Sequence, residues 1–416
     1  MTAVIIGADS TPFGKWPHRS YKDLTEETCR SVLADAGLPD GRQVDEIWFA
    51  NCTMQRMGQA NIRGQVCLSR LLRDGVFAPR TPVFNVENAC ASSTAAFYGA
   101  VGSVLSGRAK LALVVGVEKL VPDDGGRADL SLFDTGMDQM DPEEWLAYYA
   151  AAGAEIGLPF ARGADRSIAM DTYAMQAAFH MREHGTTQRQ IAMAAAQTHT
   201  YAVENPKAQY RFALTPQEVL DDRPITFPFT RAMCAPIGDG AAALLVASDD
   251  LAARLDPAHR HRAVSVLACA AAGGAYRDWR EPSQSHVAAA RAFAEAGLSP
   301  ADVSVAEVHD ATSFSVIYQA EMMGLCPLGR GGALVESGET GPGGRIPINT
   351  SGGLVSKGHP VAATGASMIY ELMLQLRGEA GARQVPGAAI GLAENGGGIV
   401  GFDEAIGFVT LLGAPS

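Results

Sequence analysis

The sequence predicts an α/β fold built as two similar halves, and three observations carry that prediction. Short, wholly apolar runs such as Leu111–Gly116 (LALVVG) and Gly240–Ser248 (GAAALLVAS) alternate with helical patterns. Such runs read as strands buried on both faces, which requires helices above and below the sheet. The chain also begins again part-way: Ala36-Gly37-Leu38 recurs as Ala296-Gly297-Leu298, and VDEIWFAN (44–51) lines up with VSVAEVHD (303–310) at an offset of 259. Repetition of element type and order marks a duplicated topology. Finally, 416 residues with 47% hydrophobic content can bury a large core.

The elements follow in order. Ala3–Gly7 reads as a buried strand. A helix over Leu24–Ala36 stops at Gly37, and a second strand spans Glu46–Ala50. Val83 and Phe84 end a third strand. Ala91–Ser106 has small and apolar residues on a helical period, with Gly107 as its C-cap. After LALVVG the pattern changes: a polar segment rich in Gly and Asp leads into helical patterns at Met170–His184 and Gln188–Val203. The second opens with Thr187 and Gln190 at capping-box spacing. Residues from about 118 to 225 are thus a helical insertion in a first half covering 1–250. A charged linker, Asp249–Arg262, precedes a second half over 263–416. There the Thr364 helix and the strand ending AENG (393–396) repeat the Cys90 helix and the strand ending GVEK (116–119).

The formal net charge of −12 excludes nucleic acid as a main partner, because phosphate binding needs a basic face. The seven cysteines contain no Cys-x-x-Cys pair, which fits reduced thiols and a cytoplasmic location. The N-terminus lacks the basic region of a signal peptide, and no apolar run is long enough for a membrane span.

Candidate chemistry centres on NVENACASSTAAFYG (85–99), where Cys90 directly precedes a helix. A helix N-terminus favours a thiolate and offers N–H groups to an oxyanion. Small neighbours leave room for a substrate. A packed core cysteine is the alternative reading. His309, at a strand end in EVHDATSF, and His359, in the Gly-rich loop NTSGGLVSKGHPVAATGA, complete a Cys–His–His set suited to nucleophilic acyl transfer. A zinc site formed by these three is disfavoured by their long spacing and the lack of paired-ligand motifs, so no metal is expected.

NACASSTAA, GVEKL, CAPIGDGAAA (234–243), EVHD, NTSGGLVSKGHPVAATGA and ENGGG together resemble the thiolase superfamily, nearest to its sterol-carrier-protein branch. The resemblance spans nearly the whole chain. It implies βαβαβαββ halves in a five-layer sandwich, a homodimer or homotetramer, and an acyl-CoA or carrier-protein thioester as substrate with no tightly bound cofactor. It makes Cys90 the acylated nucleophile, His359 its activator, and His309 and His359 donors to the thioester oxyanion. It pairs the N–H groups of Cys90 and Gly396 as the oxyanion hole of the acyl-enzyme.

The sequence departs from that pattern where a second cysteine should remove a proton from the second substrate: Glu394 and Ala311 occupy its two known places. Glu394 is either a general base or a structural carboxylate bonded to loop N–H groups. Otherwise the transfer avoids an α-proton base, as in decarboxylative condensation or transfer to a non-carbon acceptor, or the site runs retro-aldol cleavage of a CoA thioester. A non-catalytic subunit is disfavoured by the intact Cys90 and histidines. A small zinc-ribbon/OB-fold companion subunit stays open.

Overall fold

The computed structural model describes residues 2–126 and 128–415. Strands β1 (Ala3–Ser10), β2 (Glu46–Ala50), β3 (Val83–Val86), β4 (Leu111–Glu118), β5 (Gly240–Ser248), β6 (Val264–Gly273), β7 (Val305–Val308), β8 (Ile390–Gly397) and β9 (Ile406–Gly413) form one sheet. Its order is β3-β2-β4-β5-β1-β6-β9-β8-β7. In the first five strands β2 runs parallel to β3 and β4, while β5 is antiparallel to β4 and β1. The last four repeat this plan: β7 is parallel to β8, and β9 is antiparallel to β8 and β6. A parallel bridge from Ala306 to Ile348 supplies the counterpart of β3. The two runs join through Val4–Ser265 and Ile5–Val264, between β1 and β6.

The principal helices are α1 (Tyr21–Asp35), α2 (Ser92–Leu105), α3 (Pro142–Ile156), α4 (Ile168–His184), α5 (Gln188–Ala202), α6 (Gln284–Ala296), α7 (Phe314–Met322) and α8 (Thr364–Arg377). α1 lays Leu24, Cys29 and Val32 on the outer face of the first run, against Phe49, Leu113 and Leu245. α6 and α7 cover the outer face of the second with Ala288, Phe293 and Ile317. α2 and α8 lie between the runs, where Phe97, Val101, Ile369 and Leu372 meet Ile5, Val114, Leu244 and Leu412. The result is the five-layer α/β arrangement expected of the resemblance. Burial on both sides explains why β4 from Leu111 to Val117 and β5 from Gly240 to Ala247 are apolar throughout rather than alternately.

The local differences from expectation have local causes. α1 starts at Tyr21 rather than Leu24, because Ser20 and Asp23 form a capping box ahead of the apolar period. β3 runs two residues beyond Phe84, to Val86. The insertion holds α3 as well as α4 and α5; α3 starts at Pro142, followed by Glu143 and Glu144 in its first turn, where a fixed φ and negative charge suit a helix N-terminus. The linker contains two short helices, Asp249–Ala252 and Pro257–Arg260. The Thr187–Gln190 capping box forms as read. No described helix is long and apolar enough to cross a membrane.

Candidate active site

The two central helices begin in the same way. A tight turn at Ala89–Ala91 leads into α2, and one at Val361–Ala363 leads into α8. Small residues are required where these starts meet: a methyl group on Gly365 would lie 1.8 Å from Thr94 Oγ1, and the Ala366 N–H donates to Ser93 Oγ at 3.0 Å. This convergence puts Cys90, on the first turn, opposite His359, just before the second.

The Cys90 sulfur lies 3.2 Å from His359 Nε2. On the far side of that ring, Nδ1 is 2.7 Å from Thr364 Oγ1, which itself donates to the Pro360 carbonyl at 3.3 Å. Thr364 has spent its proton on Pro360, so it accepts from His359 Nδ1–H. Nε2 is then the bare nitrogen facing the thiol. His309 completes the cluster, its ring centroid 5.4 Å from that of His359. It is buried, and among the described residues neither of its ring nitrogens has a hydrogen-bond partner.

Enclosure sets the protonation states. Burial pushes the Cys90 thiol up to about 12, assisted by the Glu404 carboxylate, although its own N–H acts in the opposite direction. The thiolate preference anticipated from the helix terminus is therefore outweighed by desolvation. Burial also depresses both imidazoles: His309 falls to about 4, and His359 drops well below its ordinary value, with His309 adding to the effect. The resting site is a neutral thiol facing neutral imidazoles.

Several groups that hold this geometry escaped the sequence reading. Ala89 takes a left-handed φ of 47°, a strained conformation for a residue with a side chain. Its carbonyl accepts from Ser92 Oγ at 2.7 Å and from the Cys52 thiol at 3.0 Å, and its N–H donates to Glu87 at 2.6 Å. The repeat offset maps Cys52 onto Ala311, a signal present in the sequence and not used. Asp310 accepts the Leu354 N–H at 2.6 Å, and Asn349 accepts the Val308 N–H at 2.7 Å. These two side chains tie the Gly-rich loop to the end of β7, so that His359 and His309 stay in register.

Glu394 and Gly396 sit differently from the other three candidates. Glu394 is fully buried and accepts from the backbone N–H of His309 and from Ser285 Oγ, each at 3.1 Å. Gly396 pairs with Gly407 in the ladder, with the Glu404 side chain against its α-carbon. Neither is among the residues lining the adjoining cavity of about 2040 Å³. The strand end that reaches this cavity is Gly397–Gly398. Cys52, Cys90, Cys234, His309, His359 and Ala311 all line it, as do Lys15 and Arg223. Among the described residues, neither of these two cations is paired with a carboxylate.

The family models agree with this architecture. One described as "Thiolase, N-terminal domain" matches residues 3–224, and one described as "Thiolase C-terminal domain-like" matches residues 272–406. The chain belongs to the thiolase family. It is similar to an acetyl-CoA acetyltransferase of Methanothermobacter thermautotrophicus, at 34% identity over 95% of this chain and 96% of that one. It is also similar to sterol carrier protein 2 of Oryctolagus cuniculus, at 32% identity over 96% of this chain and 72% of that one. Among solved structures, an Ltp2-ChsH2(DUF35) aldolase shares the fold, with a TM-score of 0.77 and 23% identity over 100% of this chain and 98% of that one. This thiolase is accordingly an acyltransferase of the thiolase type.

Proposed function

We propose that Cys90 is the nucleophile of a ping-pong acyl transfer from an acyl-CoA or carrier-protein thioester, and that its 3.2 Å approach to the bare His359 Nε2 carries this reading. As sulfur attacks the thioester carbonyl, His359 takes the thiol proton and passes it to the departing thiolate, leaving Cys90 acylated and free coenzyme A. His309 donates its unpartnered ring N–H to the thioester oxyanion, together with protonated His359. In the acyl-enzyme the oxyanion meets the Cys90 N–H and the glycine strand end, where the contribution expected of Gly396 falls to its neighbours Gly397–Gly398. Lys15 and Arg223, at the cavity wall and not paired with a carboxylate among the described residues, suit the phosphates of coenzyme A.

For Glu394 we favour the structural reading: its carboxyl anchors the His309 backbone from behind the cavity wall. Neither Ala311 nor Glu394, at the two places expected of the second cysteine, then offers a base to the cavity. A second half-reaction that needs no α-proton base, by decarboxylative condensation or with a non-carbon acceptor, fits best. Retro-aldol cleavage is a weaker alternative, since it leaves an acylatable Cys90 without a task.

The exposed edge strand β3, with Phe84 39% exposed beside Trp48, suits pairing with a second copy in a homodimer. Cytoplasmic location and a small companion subunit complete the proposal, and co-purification from the native host tests the latter.

Intact mass after incubation with a series of acyl-CoAs tests the nucleophile: an acyl adduct is expected, and it must vanish in Cys90→Ala. For the second half-reaction, acetyl-CoA in deuterated water should gain no deuterium at its α-carbon. Rapid exchange abolished by Glu394→Gln would instead make Glu394 the base.

A further inference from the structure

We propose that Cys90, His309 and His359 also form a binding site for a thiophilic divalent cation such as Zn²⁺, and that its occupancy switches the acyl-transfer site off. The switching effect rests on the function proposed above; the binding does not. The three residues are far apart in sequence and match no metal motif. Folding nevertheless brings one donor atom of each within 4.8 Å of the other two.

Tetrahedral zinc, with Zn–S of about 2.3 Å and Zn–N of about 2.0–2.1 Å, separates its donors by roughly 3.3–3.6 Å. The Cys90–His359 pair is already at 3.2 Å. His309 has to swing inward by about 1 Å to meet that donor spacing. It can do so without breaking a hydrogen bond to any described residue, because among these neither of its ring nitrogens has a partner. That unsatisfied, buried imidazole is the second, independent sign of a ligand: a buried polar group without a partner calls for one. His359 is prepared for coordination too. Its Nδ1–H is fixed by Thr364 Oγ1, the outer-shell bond that orients metal-ligating histidines and leaves Nε2 free. The fourth vertex faces the cavity, where water completes the shell.

The exchange balances simply. The Cys90 S–H bond breaks, its proton leaves to solvent, and a sulfur–metal bond forms with no change in oxidation state. The bound ion occupies the sulfur lone pair needed for attack and the His359 nitrogen that would accept the proton. Both steps of acylation stop.

The test uses the full chain, stripped with a chelator and titrated with Cd²⁺, whose bond to a thiolate adds a charge-transfer absorption in the ultraviolet. One equivalent should produce the band, Zn²⁺ should compete it away, and the band should be absent in Cys90→Ala. Outer-shell substitutions cost 10–100-fold in metal affinity, so removing a direct ligand in His309→Ala should cost at least about tenfold. His309→Gln, closer in volume, serves if the alanine variant does not fold. A band that persists in Cys90→Ala, or unchanged affinity in both His309 variants, overturns the site. If the ion binds but wild-type enzyme never forms an acyl adduct, the proposed function fails while the metal site stands. If both hold, prior acylation of Cys90 must block Cd²⁺, and the chelator must restore acylation to Zn²⁺-treated enzyme.

Discussion

Replacing Thr364 with valine isolates what one hydroxyl does for the nucleophile. The two side chains have nearly the same shape, and Thr364 is buried at the start of α8, so packing changes little. What is lost is the acceptor held 2.7 Å from His359 Nδ1. Leaving a buried N–H unpaired costs about 1–3 kcal/mol. The imidazole escapes that cost by moving its proton to Nε2, the nitrogen that must be bare to take the Cys90 proton. The productive tautomer then becomes less populated by a similar free energy, which slows acylation by roughly 5- to 150-fold. The assay is the single-turnover rate of acyl-adduct formation by intact mass, at saturating acyl-CoA, so that substrate binding does not enter. Thr364→Ser, which keeps the hydroxyl, should recover most of the rate. A Thr364→Val enzyme that acylates within twofold of wild type while His359→Ala is inactive would refute the tautomer argument.

Cys52→Val removes a donor from the strained Ala89 carbonyl and should lower the acylation rate about tenfold with little effect on the KM for acyl-CoA; Cys52→Ser should restore it. Gly397→Ala places a methyl 2.1 Å from the Asn88 carbonyl and 2.5 Å from the Ala91 N–H. Both are backbone atoms that cannot swing aside, so the nucleophile turn must shift and acylation should fall by about 10²-fold. A near-wild-type rate for this variant would mean that the turn tolerates displacement. His309 has its folded value near 4, below the usual 6.5, so the unfolded chain binds the extra proton between those values. Its contribution to stability is complete above pH 6.5 and is lost as pH falls toward 4. Relative to wild type, His309→Gln should therefore become progressively less destabilised on acidification, by up to about 1.4 kcal/mol per pH unit across that window. Chemical denaturation at pH 7 and pH 5 measures this, and an equal gap between the two proteins at both values would contradict it.

Much of this protein was legible in one dimension. Wholly apolar runs, the VDEIWFAN and VSVAEVHD repeat at a 259-residue offset, and a cysteine set before a small-residue helix each follow from local pattern, because burial on both faces and helix periodicity act on neighbouring residues. The same logic located His309 at a strand end and His359 in a glycine-rich loop. What decided their joint chemistry was tertiary. The 3.2 Å contact across 269 positions of sequence exists because α2 and α8 start side by side between two sheet faces. The thiol's protonation state depends on enclosure rather than on the helix terminus next to it in sequence. Glu394 stands where the resemblance leads one to expect a cysteine, and its surroundings could not be read from the sequence. A carboxylate on a strand faces one side or the other, and only packing against Ser285 and the His309 backbone shows which groups it serves. Sequence determines which groups are present and where the chain bends. Desolvation and hydrogen-bond partners arise from residues hundreds of positions apart, and so belong to the folded molecule alone.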